Sequence, residues 1–332
     1  MEKASGSLFG LAYGDALGKP TEFQDYETIV AAYGPAGPRE LTGDPALVTD
    51  DTQMMLAVGE ALVAAGPLTP ASLEPVLRQA FLDWAISPDN NRAPGMTCLR
   101  ACADLTDGRP WQRASQIHSK GCGANMRVTP VGLLPGLTDE QRSGAAQLQA
   151  GLTHGHETGL AASELTAYAV RWLSDGLAPA DLLPRLRQHC ADQRRTYHED
   201  WLGDLWQRPM ATTPEDFIAH GWDETAAALD RVTAALRRGP VDGDPCLLTG
   251  AGWIAEEALA TALYCYLLSP DEPLTVLGRA AATSGDSDSI ACLAGGFAGA
   301  ALGMSAWPAG WRDRIEYADR LHKLGAAWDP AS

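Results

Sequence analysis

The chain of 332 residues reads as a mainly α-helical protein. Three observations predict that class. Apolar residues recur at helical spacing from end to end, and runs that alternate apolar with polar residues are scarce. Gly, Pro and short hydroxyl or acidic residues punctuate the apolar runs where helices start and stop. With 45% hydrophobic and 20% charged residues, the composition supports a large buried core and excludes a disordered or collagen-like chain.

Taken in order, a glycine-rich helical segment ends at Pro20, and the loop after it presents Glu22. Met54, Val58, Ala61, Leu62 and Ala65 form the next periodic set, stopped by Gly66 and Pro67. Thr69 before Pro70 reads as an N-cap with a first-turn proline, leading into Leu73, Leu77, Ala80, Phe81 and Trp84. Helices are also expected over Thr158 to Leu173, Pro179 to Cys190, Trp222 to Arg238, Ile254 to Leu268 and Asp313 to Leu324. Loops are expected at Tyr33 to Pro45, Ser87 to Gly95, Ser119 to Pro130 and Gly239 to Gly252. The stretch Ile290 to Trp307 is almost free of polar side chains, with Gly295, Gly299 and Gly303 spaced as in membrane helix dimers. Its acidic start, the following Pro308 and the lack of a second span make it a buried helix approached closely by its neighbours. No repeat or long linker divides the sequence, so residues 1–332 are expected to form one domain.

A formal net charge of -17 argues against a nucleic-acid backbone or an anionic membrane as partner, except for a nucleic acid carrying a modification as substrate. An anionic small substrate would need local positive charge, which bound cations supply. The seven cysteines include no Cys-x-x-Cys pair, which fits reduced thiols in a cytoplasm better than a disulfide framework or a zinc ribbon. The first residues lack the basic start and apolar core of a signal peptide, and a cytoplasmic location is expected.

Chemistry concentrates in two acidic clusters, Thr49-Asp50-Asp51-Thr52 and Asp286-Ser287-Asp288-Ser289, each running into an apolar helix. Either alone reads as a helix cap, because one side-chain oxygen satisfies an orphan amide there. Four carboxylates brought together repel unless protonated or neutralised, and hard divalent ions favour all-oxygen ligand sets. The two doubled clusters therefore point to a shared metal site, built from opposite ends of the sequence.

Other signals carry more than one reading each. Glu22 is a further ligand, a general base or solvated surface. The loop around Gly121 and Gly123 leaves amides free for an anion or a ribose, or is a structural turn. Cys122 has no identifiable basic partner and reads as packing more readily than as a nucleophile. His154 and His156 flank a helix start, where a substrate contact from His154 is favoured over zinc. Trp253 lines a pocket or packs in the core.

The stretches GDALGKPTEF from Gly14, TDDT from Thr49, NRAPGMTCL from Asn91, SKGCGANMRVTPVGLLP from Ser119, THGHETG from Thr153, GAGWIAEEALATALY from Gly250 and SGDSDSIACLAGGFAGA from Ser284 span almost the whole chain. In that order they resemble the ADP-ribosylglycohydrolase family, which includes the dinitrogenase-reductase-activating glycohydrolases. The resemblance implies a single-domain, all-α orthogonal bundle around a cleft with two divalent cations, Mg2+ or in some members Mn2+. It implies Thr49, Asp50, Asp51, Asp286, Asp288 and Ser289 as ligands, with Glu22 close to one ion. Ser289 stands where Thr is frequent, and Asn125 where a small or apolar residue is frequent.

The implied reaction is hydrolysis at the anomeric carbon of the distal ribose of an ADP-ribosylated protein or small ADP-ribosyl conjugate, with Asp288 or Glu22 taking the proton of the attacking water. Gly121, Gly123, Ala124, Asn125 and Met126 would line the distal ribose and diphosphate, with His154 nearby and Trp253 at the rim. A metal-free pair of carboxylates is the competing mechanism. It leaves the hydroxyl residues beside the Asp pairs unexplained. A non-catalytic relative that binds ADP-ribose or serves as structure is the competing function, disfavoured by the completeness of both clusters. Another metal hydrolase acting on nucleotides is a more distant reading.

Overall fold

The structure, a computed structural model, describes residues 2–239 and 242–330, and among these the chain is helical with no sheet. In chain order the helices are α1 (Lys3–Gly18), α2 (Tyr26–Tyr33), α3 (Asp50–Ala64), α4 (Pro70–Ala85), α5 (Met96–Thr106), α6 (Trp111–Ala114), α7 (Thr129–Leu133), α8 (Asp139–Gly151) and α9 (Glu157–Ser174). They continue as α10 (Pro179–Gln193), α11 (Glu199–Leu202), α12 (Pro214–Arg237), α13 (Cys246–Thr249), α14 (Ala255–Leu268), α15 (Pro273–Ala281), α16 (Ser287–Leu302) and α17 (Ala318–Trp328).

The centre of the fold is the pair α1 and α16, whose glycines let the two backbones touch. A Cβ added at Gly295 would lie 2.0 Å from the Gly10 carbonyl oxygen, and one at Gly14 would lie 2.0 Å from that of Ala291. Such distances are sterically impossible, so the small-residue stripe read from the sequence is a packing surface. The same pairing continues to the site end of both helices, where a Cβ at Gly18 would fall 2.4 Å from Asp288 Cα. Close backbone approach thereby sets the loop carrying Glu22 beside the second acidic cluster. The two ends of the chain also meet, since Asp329 accepts hydrogen bonds from the Ala4 amide (2.8 Å) and the Ser5 hydroxyl (2.6 Å). Helices α14 and α15 cover α16, while α9 packs against α8 and α12. No helix among the described residues is long and apolar enough to cross a membrane.

Several elements match their sequence signals. Thr49 caps α3 with its hydroxyl accepting from the Asp51 amide, and Thr69 and Ser72 form a capping box ahead of α4 with Pro70 in its first turn. Others differ. Helix α12 begins at Pro214, well before Trp222, because Thr213 caps it and accepts from the Asp216 amide. Helix α16 stops at Leu302, where Gly303 turns with φ of 80°, and a short 3-10 turn carries the chain to Trp307. The last helix starts at Ala318 and runs to Trp328, because the preceding residues are committed elsewhere: Ile315 bridges Ala46 and Glu316 pairs with Arg92. Helices α2, α5, α8 and α15 were not anticipated, although α8 carries a capping box of Thr138 and Gln141. The loop expected at Gly239 to Gly252 contains α13, and its Pro240 and Val241 lie, like Met1, outside the described residues.

Candidate active site

The N-termini of α3 and α16 converge on a cleft of about 320 Å³. Its floor is acidic. Asp50, Asp51, Asp286 and Asp288 line it together with Glu22 and Ser289, and among the described residues no Lys or Arg does. Ligand-type oxygens of Glu22, Asp286 and Asp288 lie within 4.8 Å of one another. The Ser289 hydroxyl donates to Asp51 at 2.8 Å, the Cys122 thiol to Asp286 at 2.7 Å, and the Gly95 amide to Asp50 at 3.1 Å.

Burial raises every one of these acids, and the charges of neighbouring carboxylates add to it at Glu22, Asp50, Asp51 and Asp286. The Asp50 carboxyl is pushed to about 7 by desolvation, with the charge of Asp288 adding to it against the Gly95 hydrogen bond. Glu22 rises to about 9 through desolvation and then the charges of Asp288, Asp286 and Asp50. Asp51 and Asp286 are driven well above the usual carboxylate range by burial and next by Asp288, which is itself raised by burial. A cluster of hard oxygen donors with no side-chain cation to neutralise it suits a divalent cation such as Mg2+. The residues present therefore fit the group that the sequence implies.

One carboxylate of this centre escaped the sequence reading. Asp15, fully buried on α1, accepts from the Thr49 amide (3.0 Å) and hydroxyl (2.9 Å) and from the Thr52 amide (3.1 Å). It thus fixes the first turn of α3 from below, and burial with the Asp288 charge raises it to about 7. A lone carboxylate in an otherwise apolar helix was its available signal. Thr49 is turned to Asp15 and is not among the residues lining the cleft.

The glycine loop forms one wall. Residues Cys122–Ala124 make a 3-10 turn, with the Cys122 amide bonded to the Trp253 carbonyl (3.1 Å) and the Ala255 amide to the Lys120 carbonyl (2.8 Å). Gly121, Gly123 and Met126 line the cleft. Ala124 and Asn125 lie beneath it, fully buried, and the Asn125 amide donates to the Ala255 carbonyl at 3.1 Å, so that its side chain ties the loop to α14. His154 lines the cleft with Nδ1 2.8 Å from the Thr153 hydroxyl. Burial, and after it the Arg127 charge, lowers His154 to about 3, so its imidazole is neutral. Beneath it Arg127, fully buried, donates to Gln149 Oε1 (2.8 Å) and to the Thr153 hydroxyl (2.8 Å), a support that sequence reasoning also missed.

The mouth is apolar. Trp253 (43% exposed) stacks on Phe23 (68% exposed) with ring centroids 5.5 Å apart and planes 19° off parallel. Met96, also exposed, lines the same opening.

Comparison with known proteins agrees with this architecture. Residues 1–330 match the family described as ADP-ribosylglycohydrolase. The chain is 27% identical to the uncharacterized protein YegU of Escherichia coli (strain K12), over 92% of this chain and 89% of that one. It is 26% identical to the ADP-ribosyl-[dinitrogen reductase] glycohydrolase of Rhodospirillum rubrum, over 95% and 90% of the two chains. A solved structure described as an ADP-ribosylglycohydrolase-related protein complex superposes with a TM-score of 0.67 at 22% identity, covering 98% of this chain and 96% of that one, and shares the fold.

Proposed function

Because this chain belongs to the ADP-ribosylglycohydrolase family, we propose that its acidic cleft hydrolyses the glycosidic bond at the distal ribose of ADP-ribosylated substrates and releases free ADP-ribose. The observation that carries this reading is a set of buried carboxylates facing one another with no positive side chain among the residues lining the cleft. Asp50, Asp51, Asp286, Asp288 and Ser289, joined by Thr49, are the residues proposed to hold two divalent cations, Mg2+ first and Mn2+ second. Bound there, such ions supply Lewis acidity and a template for vicinal hydroxyls.

The chain's own groups account for the remaining roles. Glu22 or Asp288 takes the proton of the attacking water, Glu22 being the less buried of the two. The amides of Gly121 and Gly123, in a turn held by the 250–255 segment, face the distal ribose and its adjoining phosphate, with Met126 beside them and Ala124 and Asn125 supporting from below. His154, neutral and fixed through Nδ1, offers its other nitrogen as a hydrogen-bonding group. Trp253 and Phe23 narrow the mouth and limit water around the reacting carbon. The substrate class is an ADP-ribosylated protein, as the name of the Rhodospirillum rubrum relative states for that enzyme, or a small ADP-ribosyl conjugate.

Release of free ADP-ribose from arginine-linked and serine-linked ADP-ribosyl peptides, with Mg2+ and again with EDTA, tests the reading. Metal-dependent release from either supports it and assigns the linkage. Release that EDTA leaves untouched removes the cations from the mechanism, and binding of ADP-ribose with no release from either peptide identifies a non-catalytic relative.

A further inference from the structure

Three positive side chains on the segments that support the cleft are already engaged. Lys120 meets Glu224 at 2.7 Å and Glu256 at 2.6 Å, and Arg92 meets Glu316 at 2.6 Å. Arg127 is fully buried on Gln149 and Thr153. A substrate with a diphosphate therefore finds no free cation in the cleft itself.

Beside it opens a second cavity of about 470 Å³, and Thr97 lines both. The Thr97 hydroxyl lies 2.9 Å from that of Ser119, which also borders the second cavity. The chemistry here is the reverse of the acidic floor. Arg100, Arg208 and His118 line it. Arg100 is exposed and has no ion pair or hydrogen bond among the described residues. Among the described residues Arg208 donates to the Gln112 (2.7 Å) and Ser115 (2.5 Å) carbonyls alone, neutral acceptors that hold the guanidinium in place without cancelling its charge. The acids nearest in charge to Arg208 are Asp104 and Asp204, and each is already paired, with Arg109 at 2.9 Å and Arg113 at 2.8 Å. Ser115 borders the same cavity, 1% exposed, and its buried hydroxyl, set against Gly155, has no hydrogen-bond partner among the described residues. A buried hydroxyl without a partner is costly, and a ligand oxygen would satisfy it.

We propose that this cavity is a phosphate subsite continuous with the cleft. In it Arg100 and Arg208 hold the substrate phosphate farther from the scissile bond, and Ser115 donates a hydrogen bond to it. The inference rests on the ADP-ribosyl reading of the cleft. Guanidinium groups stay charged at any working pH and match phosphate oxygens in geometry. In a chain of net charge -17 such a pocket is the local positive field that an anionic substrate requires.

Calorimetric titration of ADP, adenosine and inorganic pyrophosphate into the full chain in EDTA tests it, with Arg100→Glu and Ser115→Ala as variants. Both side chains lack partners, so both variants should fold, which thermal melting checks. Arg100→Glu is expected to weaken ADP and pyrophosphate about tenfold and Ser115→Ala about threefold, with adenosine unchanged. ADP affinity that Arg100→Glu leaves unaltered overturns the subsite, as does an equal loss for adenosine or no binding of ADP and pyrophosphate by the unsubstituted chain. If Arg100→Glu cleaves ADP-ribosyl peptides with an unchanged KM, the subsite fails and the hydrolase reading stands. If ADP binds in an Arg100-dependent way and no ADP-ribosyl peptide is cleaved, the hydrolase reading fails and the subsite stands.

Discussion

Two regions of this protein bury carboxylates, and they do so with opposite electrostatics. In the cleft, Asp50, Asp51, Asp286 and Asp288 face each other and Glu22, and all are raised. On α9, Glu164 is completely buried yet held down at about 2: burial alone would raise it, but the imidazoles of His189 (2.8 Å) and His198 (3.7 Å) reverse the sign. The Ser143 hydroxyl donates to it as well, at 2.8 Å. Glu164 is a carboxylate whose donors come from the fold, so its charge belongs to the folded chain. The cleft acids have too few donors and too many like charges, which is the arrangement expected where the missing positive charge arrives with a ligand.

The contrast is open to attack at both ends. Asp286→Asn should lower ADP-ribose release by about a hundredfold or more, since ligand loss exceeds the ~10 to 100-fold cost of disturbing a ligand's support. The same variant should melt higher than the unsubstituted chain in EDTA, because one repelling charge is gone. Glu164→Ala should do the opposite. It strands buried donors and should cost about 3 kcal/mol or more in denaturant titration, with the KM for substrate unmoved. An Asp286→Asn variant that melts lower in EDTA would remove the distinction between the two regions.

The pH dependence should separate them further. A carboxyl group whose pKa is higher folded than unfolded stabilises the fold below its unfolded value and loses that contribution as pH rises through the folded one. Unfolded carboxyl groups titrate near ~4. Metal-free melting temperature should therefore fall as pH rises from there through about 7, where Asp15 and Asp50 ionise, towards about 9 for Glu22. Saturating Mg2+ should flatten that fall. Glu164 contributes in the other direction, stabilising above its unfolded value and losing this as pH drops through about 2. Melting curves across pH with EDTA or Mg2+ read both limbs. The smallest effect is expected at the mouth, where Trp253→Ala should open the Trp253–Phe23 rim, raising KM and lowering kcat each by only about threefold in steady-state assays.

Much of this was legible in the sequence for physical reasons. Doubled acids at two helix starts are excessive for capping, and a glycine stripe in an apolar helix implies backbone contact, so α3, α16 and their meeting could be anticipated. Asp15 was harder to see, because its role depends on α1 passing under the first turn of α3, a tertiary fact with no local period. Asn125 stands in the glycine loop and yet points away from the cleft to the Ala255 carbonyl, and side-chain direction within a turn is invisible to motif reading. The cationic cavity joins Arg100 on α5 to Arg208 more than a hundred residues later, beyond any spacing rule. The shift of the last helix to Ala318–Trp328 followed from Glu316 being drawn to Arg92.

Counting bound Mn2+ by electron paramagnetic resonance on the full chain and on Asp286→Asn tests the central claim most directly. Two ions per chain in the first, displaced by Mg2+, and a loss of binding in the second are the result predicted by a cleft whose acids await cations. An unsubstituted chain that binds no ion, or a variant that binds as many as its parent, would contradict it.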